Sequence, residues 1–203
     1  MIIYFGIGTN LGNREENLRK AVELLHERVG ECIACSSVYR SAPQGFVSEN
    51  EFANIVAVCQ SDYSPEEVLL ITQQIEREMG RTEKSINGVY HDRVIDIDLL
   101  QARGDEANEA IRRSGERLTL PHPRMQERDF VMIPLHEVEQ ILNILTEHGV
   151  DMLWTGHDHC REITQVKSMT SIVVDSMKDE DKEPYYMLVS MGEKVDYEFV
   201  AVP

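Results

Sequence analysis

The sequence predicts an α+β protein: an antiparallel sheet with helices on one face, followed by a C-terminal α/β appendage. Two observations carry this. Short apolar runs with period-two alternation are interleaved with two segments of helical spacing. The 203 residues also suffice for one good core, or for a core plus an appendage.

Residues 2–7 read as a first strand. Gly6, Gly8 and Gly12, with Asn10 and Asn13, are expected to form a tight turn after it. The spacing is not G-x-G-x-x-G and no G-K-[ST] follows, so neither a dinucleotide fingerprint nor a Walker loop is present. Asn13 and Glu16 have capping-box spacing, Leu18, Val22, Leu25 and Val29 form a helical stripe, and Gly30 closes it. Residues 32–39 read as a second strand, broken by Ser41-Ala42-Pro43-Gln44-Gly45, and 52–59 as a third. Ser64-Pro65-Glu66-Glu67 is a helix start with cap, N1 proline and reciprocal glutamate, and Val68, Ile71, Ile75 and Met79 supply its apolar face.

The fourth strand is the most informative. In Asp92-Arg93-Val94-Ile95-Asp96-Ile97-Asp98-Leu99-Leu100, Ile95, Ile97 and Leu99 share one face, and Val94, Asp96 and Asp98 share the other. Arg93 has the parity of the core-facing residues, so the strand is expected to begin only at or after it. Strand, helix, strand, strand, helix, strand is the ferredoxin-like split βαβ order, with both helices on one face of the sheet. Residues 102–116 are expected to be a loop. Two prolines around His122 predict a rigid turn, followed by a short helix carrying Arg128 and Phe130. Residues 138–145 read as another helix, 150–159 as a strand running into a turn, and 171–174, 185–191 and 197–202 as closing strands.

A formal net charge of −16 argues against broad nucleic-acid or anionic-membrane binding. Met1 leads straight into the first strand and no apolar stretch approaches 18 residues, so a cytoplasmic protein is expected. Four cysteines fit a reducing compartment. Cys32 and Cys35 form a C-x-x-C, but an offset of three on a strand puts the thiols on opposite faces.

Two like charges at i and i+2 on a strand repel, and at ~3.3 Å per residue their Cα atoms lie roughly 7 Å apart and point the same way. That suits one or two hard divalent cations; a solvated face tolerating two acids is the alternative. Arg81, Lys84, Arg93, His122, Arg124 and Arg128 form a basic, polar set around the two aspartates in sequence, suited to an anion.

The motif from Asp92 to Leu100 resembles the signature of the 6-hydroxymethyl-7,8-dihydropterin pyrophosphokinase family. Four further blocks agree in order: residues 6–12, 36–43, 72–81 and 118–130. The resemblance covers about residues 1–137, which implies a core of residues 1–137 and an extension of residues 138–203. The resemblance implies an ATP-dependent transferase of folate biosynthesis that moves pyrophosphate from ATP to the pterin hydroxymethyl group and releases AMP. It implies that Asp96 and Asp98 hold two magnesium ions, with Arg81 and Arg93 in the catalytic machinery. Gln73, Glu76, Arg81, Lys84, Arg93, Thr119, His122 and Arg128 match nucleotide-side positions. Phe52 and Phe130 match the aromatics that sandwich the pterin, Asn54 the residue reading its edge, and Ser41, Pro43 and Gly45 the loop lining its pocket. This sequence departs from the family in a longer stretch between Arg81 and Arg93, which leaves Lys84 and Tyr90 without firm counterparts, and in Gln44, which stands where an apolar residue is common. No general base is identifiable.

In the tail, Trp154-Thr155-Gly156-His157-Asp158-His159 resembles the last metal-binding block of calcineurin-like metallophosphoesterases. The upstream ligand blocks of that family are missing, so the resemblance implies a structural remnant without activity. A metal-dependent phosphoesterase is thus one alternative, and a non-catalytic ferredoxin-like binding module is another. The second leaves the aspartate pair and the arginines unexplained.

Overall fold

The structure, a computed structural model, describes residues 1–81, 91–104 and 109–147 and five strands beyond them. The chain divides into two compact units, Met1–Thr146 and Glu147–Pro203.

The first unit is built on β1 (Ile2–Thr9), α1 (Arg14–Arg28), β2 (Cys32–Cys35), β3 (Tyr39–Ser41), β4 (Phe52–Gln60), α2 (Pro65–Glu78) and β5 (Asp96–Arg103). Short strands follow: β6 (Ala110–Ile111), β7 (Arg113–Ser114) and β8 (Thr119–Leu120). A 3₁₀ turn at Met125–Glu127 then leads to α3 (Asp129–Glu147). The main sheet runs β2-β4-β1-β5-β6, with β3 also on β4, and its pairs are antiparallel. The protein is therefore α+β, as its sequence pattern predicts.

Strand alternation sends side chains to two cores. Ile3, Phe5 and Ile7 of β1 join Ala53, Ile55 and Ala57 of β4 and Ile97 and Leu99 of β5 beneath α1 and α2. Leu18, Ala21 and Leu25 of α1 and Val68 and Ile75 of α2 cover them. Both helices start where expected: Asn13 Oδ1 accepts from Glu16 N (3.3 Å), and Ser64 and Glu67 form a reciprocal capping box. Gly30 lets the chain turn back, because its φ is +144° and a Cβ there would lie 2.1 Å from Gln60 O.

The opposite face carries Ile2, Tyr4, Val56, Val58 and Leu100, covered by Val131, Leu135 and Val138 of α3. This helix runs unbroken through Pro134 and past residue 137, so the separate helix expected at 138–145 is part of α3. Burial of Leu135 and Val138, with Glu137 accepting from Ser37 N (3.0 Å) and its hydroxyl (2.7 Å), outweighs the one backbone bond the proline removes.

Other expectations need correction. The strand expected over 32–39 is split in two. Ser36 N donates to Val56 O, but Val56 N donates to Ser36 Oγ instead of a backbone carbonyl, and this interrupts the ladder. Gly6 and Gly8 lie inside β1, and only Gly12, with φ of +67°, belongs to the turn. Part of 102–116 is sheet, since β5 continues to Arg103 and pairs with β6. Arg128 sits between the 3₁₀ turn and α3, and Phe130 lies in the first turn of α3. As expected, the fourth strand begins after Arg93, at Asp96. Cys32 and Cys35 do not pair, as their offset predicts; the register instead sets Cys32 opposite Cys59, with Cα atoms 3.9 Å apart, and these two form a disulfide that the sequence reading did not anticipate.

Within the second unit, β9 (Met152–Thr155), β10 (Glu162–Val166) and β11 (Met169–Val173) form a sheet in which β11 is antiparallel to β10 and parallel to β9. β12 (Tyr185–Met191) and β13 (Val195–Ala201) form a hairpin. β10 was not expected from the sequence. His157, Asp158 and His159 lie outside the described residues. Among the described residues, no helix is long and apolar enough to cross a membrane.

Candidate active site

The face of β1 that α3 only partly covers opens into a cleft of about 490 Å³. Its floor follows from the register. Gly8 lies between Asn54 of β4 and Asp96 of β5, and Gly6 between Val56 and Asp98. Glycine is required by close approach: a Cβ on Gly8 would sit 3.0 Å from Asn54 Oδ1, and one on Gly6 would sit 3.2 Å from Leu100 Cδ2. Two glycines two apart thus leave one strand face bare beside two carboxylates.

Asp96 and Asp98 both line this cleft. Asp96 is held by cations: Arg81 Nη1 bonds Oδ1, and Arg93 Nη2 lies 3.1 Å from Oδ2. Among the described residues, the ion-pair partner of Asp98 is a distant one, Arg128 Nη1 at 3.9 Å. The cleft leaves 42% of its side chain exposed, yet the protein around it is deep enough that burial, then the Asp96 charge, pushes its pKa up to about 7. A divalent cation bridging the two carboxylates would relieve both causes. The donor set fits a cation that takes one or two carboxylates and fills its remaining positions with phosphate oxygens or water. Among the described residues no cluster of three or more His, Cys, Asp or Glu side chains forms a closed metal cage.

Behind this wall, Glu76 of α2 accepts from Arg81 Nη1 (2.5 Å) and from Ile97 N (2.8 Å), tying helix and strand together. Burial raises its pKa, and Arg81 offsets part of that rise. For Arg81, burial works against its charge, but Asp96 and Glu76 outweigh it and hold it protonated. His122 is anchored by its N–H on Leu100 O (2.7 Å), at the residue where the β1–β5 register shifts. Burial, then the Arg128 and Arg124 charges, pushes its pKa down. Arg124 N donates to His122 Nδ1 (3.3 Å), which leaves the proton of the neutral ring on Nε2.

The other half of the cleft is flat and apolar. Phe52 and Phe130 line it, each with an arginine over its ring: Arg93 Cζ at 5.2 Å and Arg128 Cζ at 5.6 Å from the centroids. Phe46 packs edge-on against Phe52, with centroids 6.2 Å apart. Asn54 Nδ2 is satisfied by Tyr39 O (3.1 Å) and Ser41 Oγ (3.0 Å), so the amide oxygen over Gly8 is the part left for a ligand.

The structure thus brings Arg81, Arg93, Asp96, Asp98, Ser41, Gly45, Phe52, Asn54, His122, Arg128 and Phe130 to one cleft. Pro43 flanks the lining residues Ala42 and Gln44. Gln73 is half-buried on α2, outside the lining, and Thr119 is exposed, with its hydroxyl on Gly115 O (3.3 Å). Lys84 and Tyr90 lie outside the described residues. The sequence reading missed Gly6 and Gly8 as a floor, Phe46, and Glu127 at the rim. The signal for the glycines was there: two of them at period two inside an apolar strand mark close approach to something else.

The family model for 7,8-dihydro-6-hydroxymethylpterin-pyrophosphokinase (HPPK) matches residues 4–140. The chain belongs to this family. It is 45% identical over 137 residues to the 2-amino-4-hydroxy-6-hydroxymethyldihydropteridine pyrophosphokinase of Porphyromonas gingivalis, covering 68% of this chain and 90% of that one. The Bacillus subtilis enzyme of the same name is 38% identical over 140 residues, covering 68% and 78%. That of Aquifex aeolicus is 37% identical over 137 residues, covering 68% and 79%. The HPPK match ends within α3, so the family accounts for the first unit and leaves the second without a counterpart in these alignments.

Proposed function

We propose that this chain transfers pyrophosphate from ATP to the hydroxymethyl group of 6-hydroxymethyl-7,8-dihydropterin, releasing AMP, as a pyrophosphokinase of folate biosynthesis. One observation carries the reading: an aspartate pair ringed by arginines opens into the same cleft as two phenylalanines and an asparagine. A triphosphate carrying magnesium and a flat heterocycle would meet there.

In this reading Phe52 and Phe130 hold the pterin ring between them, and Asn54 Oδ1 accepts from its edge, while Ser41, Pro43 and Gly45 shape the loop beside it. Asp96 and Asp98 would hold two magnesium ions, which would supply neutralisation of the phosphate charge for in-line attack. Phosphate oxygens compete with Asp96 for Arg81 and Arg93, cations that grip phosphate bidentately where no P-loop exists. His122 donates from Nε2, and Arg128 and Lys84 add positive charge. Gln73, Glu76 and Thr119 complete the nucleotide side, Glu76 by positioning Arg81. With no side chain assigned as general base, the rate enhancement comes from orientation and charge neutralisation.

The sheet order fits a ferredoxin-like arrangement of the core. Residues 1–137 would be the catalytic part and 138–203 a non-catalytic extension, with α3 shared across the boundary. The net charge of −16 keeps nucleic acid and anionic membranes out of its partners. A cytoplasmic location places it with its ATP.

The test is AMP release from ATP by the full chain, measured with and without hydroxymethyl-dihydropterin and with and without magnesium. AMP formation that needs both supports the reading. Release that ignores the pterin, or survives a chelator, sinks it.

A further inference from the structure

Arg93 lies ahead of β5, outside the sheet ladder, and its backbone is held by Asn10, through both the backbone N–H and the side chain of that residue. Asn10 N donates to Arg93 O (3.1 Å), and Asn10 Oδ1 accepts from Arg93 N (2.8 Å). An asparagine amide can reverse with almost no change of shape, and reversal would turn its NH₂ toward the Arg93 N–H, replacing an acceptor with a donor. Something must fix its sense.

The Asp92 carboxylate is the nearer of two acceptors that do so, the other being Asn50 O, 3.4 Å from Asn10 Nδ2. Asn10 Nδ2 donates to Asp92 Oδ1 (2.7 Å), which forces Asn10 Oδ1 toward Arg93. Asp92 is itself fastened from the loop before β4: Asn50 Nδ2 donates to its Oδ2 (3.0 Å), and the Ser48 hydroxyl also donates to it. Ser48 Oγ in turn accepts from Asn50 N (3.1 Å). A carboxylate accepts from all of these at once because it has only acceptors. Downstream, the Arg93 guanidinium reaches over the Phe52 ring and onto Asp96.

We propose that Asp92 is a positioning residue for the reaction: its carboxylate sets the sense of the Asn10 amide, Asn10 sets the backbone of Arg93, and the Arg93 guanidinium is thereby aimed into the cleft. This rests on the role of Arg93 given under Proposed function. Asp92 lines no part of the cleft, so it acts only through Arg93.

A double-mutant cycle on the full chain tests it, using AMP release with saturating magnesium. Asp92→Ala should lower kcat about tenfold, with the KM for the pterin changed less than twofold. In an Arg93→Ala background the same substitution should change kcat less than twofold, because the residue it positions is gone. Asp92→Asn keeps the shape and one acceptor oxygen, and should recover at least half of the lost rate on a logarithmic scale. Should Asp92→Ala fail to fold on thermal melting, Asp92→Asn takes its place in the cycle, with an expected loss of about threefold that likewise vanishes without Arg93. Equal losses in both backgrounds would show an independent structural role and overturn the proposal. So would a wild-type rate in Asp92→Ala beside an impaired Arg93→Ala, a result that leaves the reading of Arg93 standing. A wild-type rate in Arg93→Ala overturns both.

Discussion

On the side of β1 that meets α1 and α2, Ile3, Phe5 and Ile7 are each at most 1% exposed. On the other side Ile2 and Tyr4 are covered by α3, but Gly6 and Gly8 are not filled in, and the sheet surface there is open. Both faces follow the same period-two rule. The first uses it to build a dry core, and the second uses it to line up Asn54, Gly8 and Asp96, then Val56, Gly6 and Asp98, across three strands. The lesson is that a strand's chemistry sits on the face where its apolar alternation is interrupted. Substitutions on the cleft face should change activity at constant stability, and substitutions on the core face should do the reverse.

The largest effect should come from the cleft face. Asp96→Ala and Asp98→Ala are each expected to cut AMP formation about ten-thousandfold, ~5 kcal/mol of transition-state stabilisation. Thermal melting of Asp98→Ala should stay close to wild type, since that carboxylate belongs to no core and is repelled by Asp96; Asp96→Ala also takes a partner from buried Arg81, so its rate is read at a temperature where circular dichroism shows it folded. A variant retaining more than a tenth of the rate would break the metal assignment. Next in size is the core face. Phe5→Ala should cost about 3–5 kcal/mol in denaturant unfolding, because the residue is fully buried between β1, its neighbouring strands and the helices. At a temperature where the variant stays folded, its KM values should match the wild type.

Much of this contrast was legible in the sequence for a physical reason: both helix starts, the strand alternation and the aspartate parity are local. Ser64-Pro65-Glu66-Glu67 needs only its own backbone to cap a helix, and Asp96 and Asp98 share a face in any strand. Tertiary choices were not legible. Ser36 ends β2 by lending its hydroxyl to Val56 N, twenty residues away, which no local pattern signals. Cys32 meets Cys59 through strand register, whereas the nearby Cys35 is the partner a spacing rule suggests. The order of the phosphate-side arginines depends on contacts such as Arg81 with both Glu76 and Asp96, which proximity in sequence does not specify.

The end of the core offers a third, smaller test. Val138 is fully buried on the cleft-side core, and Glu139 accepts from Gln101 Nε2 (3.0 Å) and Arg103 Nη2 (2.9 Å). A chain ending after Glu137 should therefore lose about 2–3 kcal/mol of stability. One ending after Thr146 keeps those contacts and should retain full activity. If the longer truncation product is inactive, residues 147–203 contribute to catalysis and the non-catalytic reading of the tail fails.

Gly8→Ala is the finest probe, because it adds one methyl group to the bare face and nothing to the core. The new Cβ would stand 3.0 Å from Asn54 Oδ1 and 3.8 Å from Phe52 Cδ1. Asn54 cannot retreat freely, since its Nδ2 is held by Tyr39 O and Ser41 Oγ. The oxygen must therefore shift by a few tenths of an ångström, and it is the atom proposed to read the pterin edge. The expected result is a KM for the pterin raised about tenfold, ~1.4 kcal/mol, with the KM for ATP changed less than twofold. Stability should fall slightly, because the pinned Asn54 must loosen its bonds to Tyr39 O and Ser41 Oγ to make room, which offsets the gain from replacing a strand glycine. A rise in the ATP KM instead would mean that the methyl disturbs Asp96, the cross-strand neighbour on the other side of Gly8, more than Asn54. The pterin would then have to be placed farther toward Phe130, away from the β1–β4 pair.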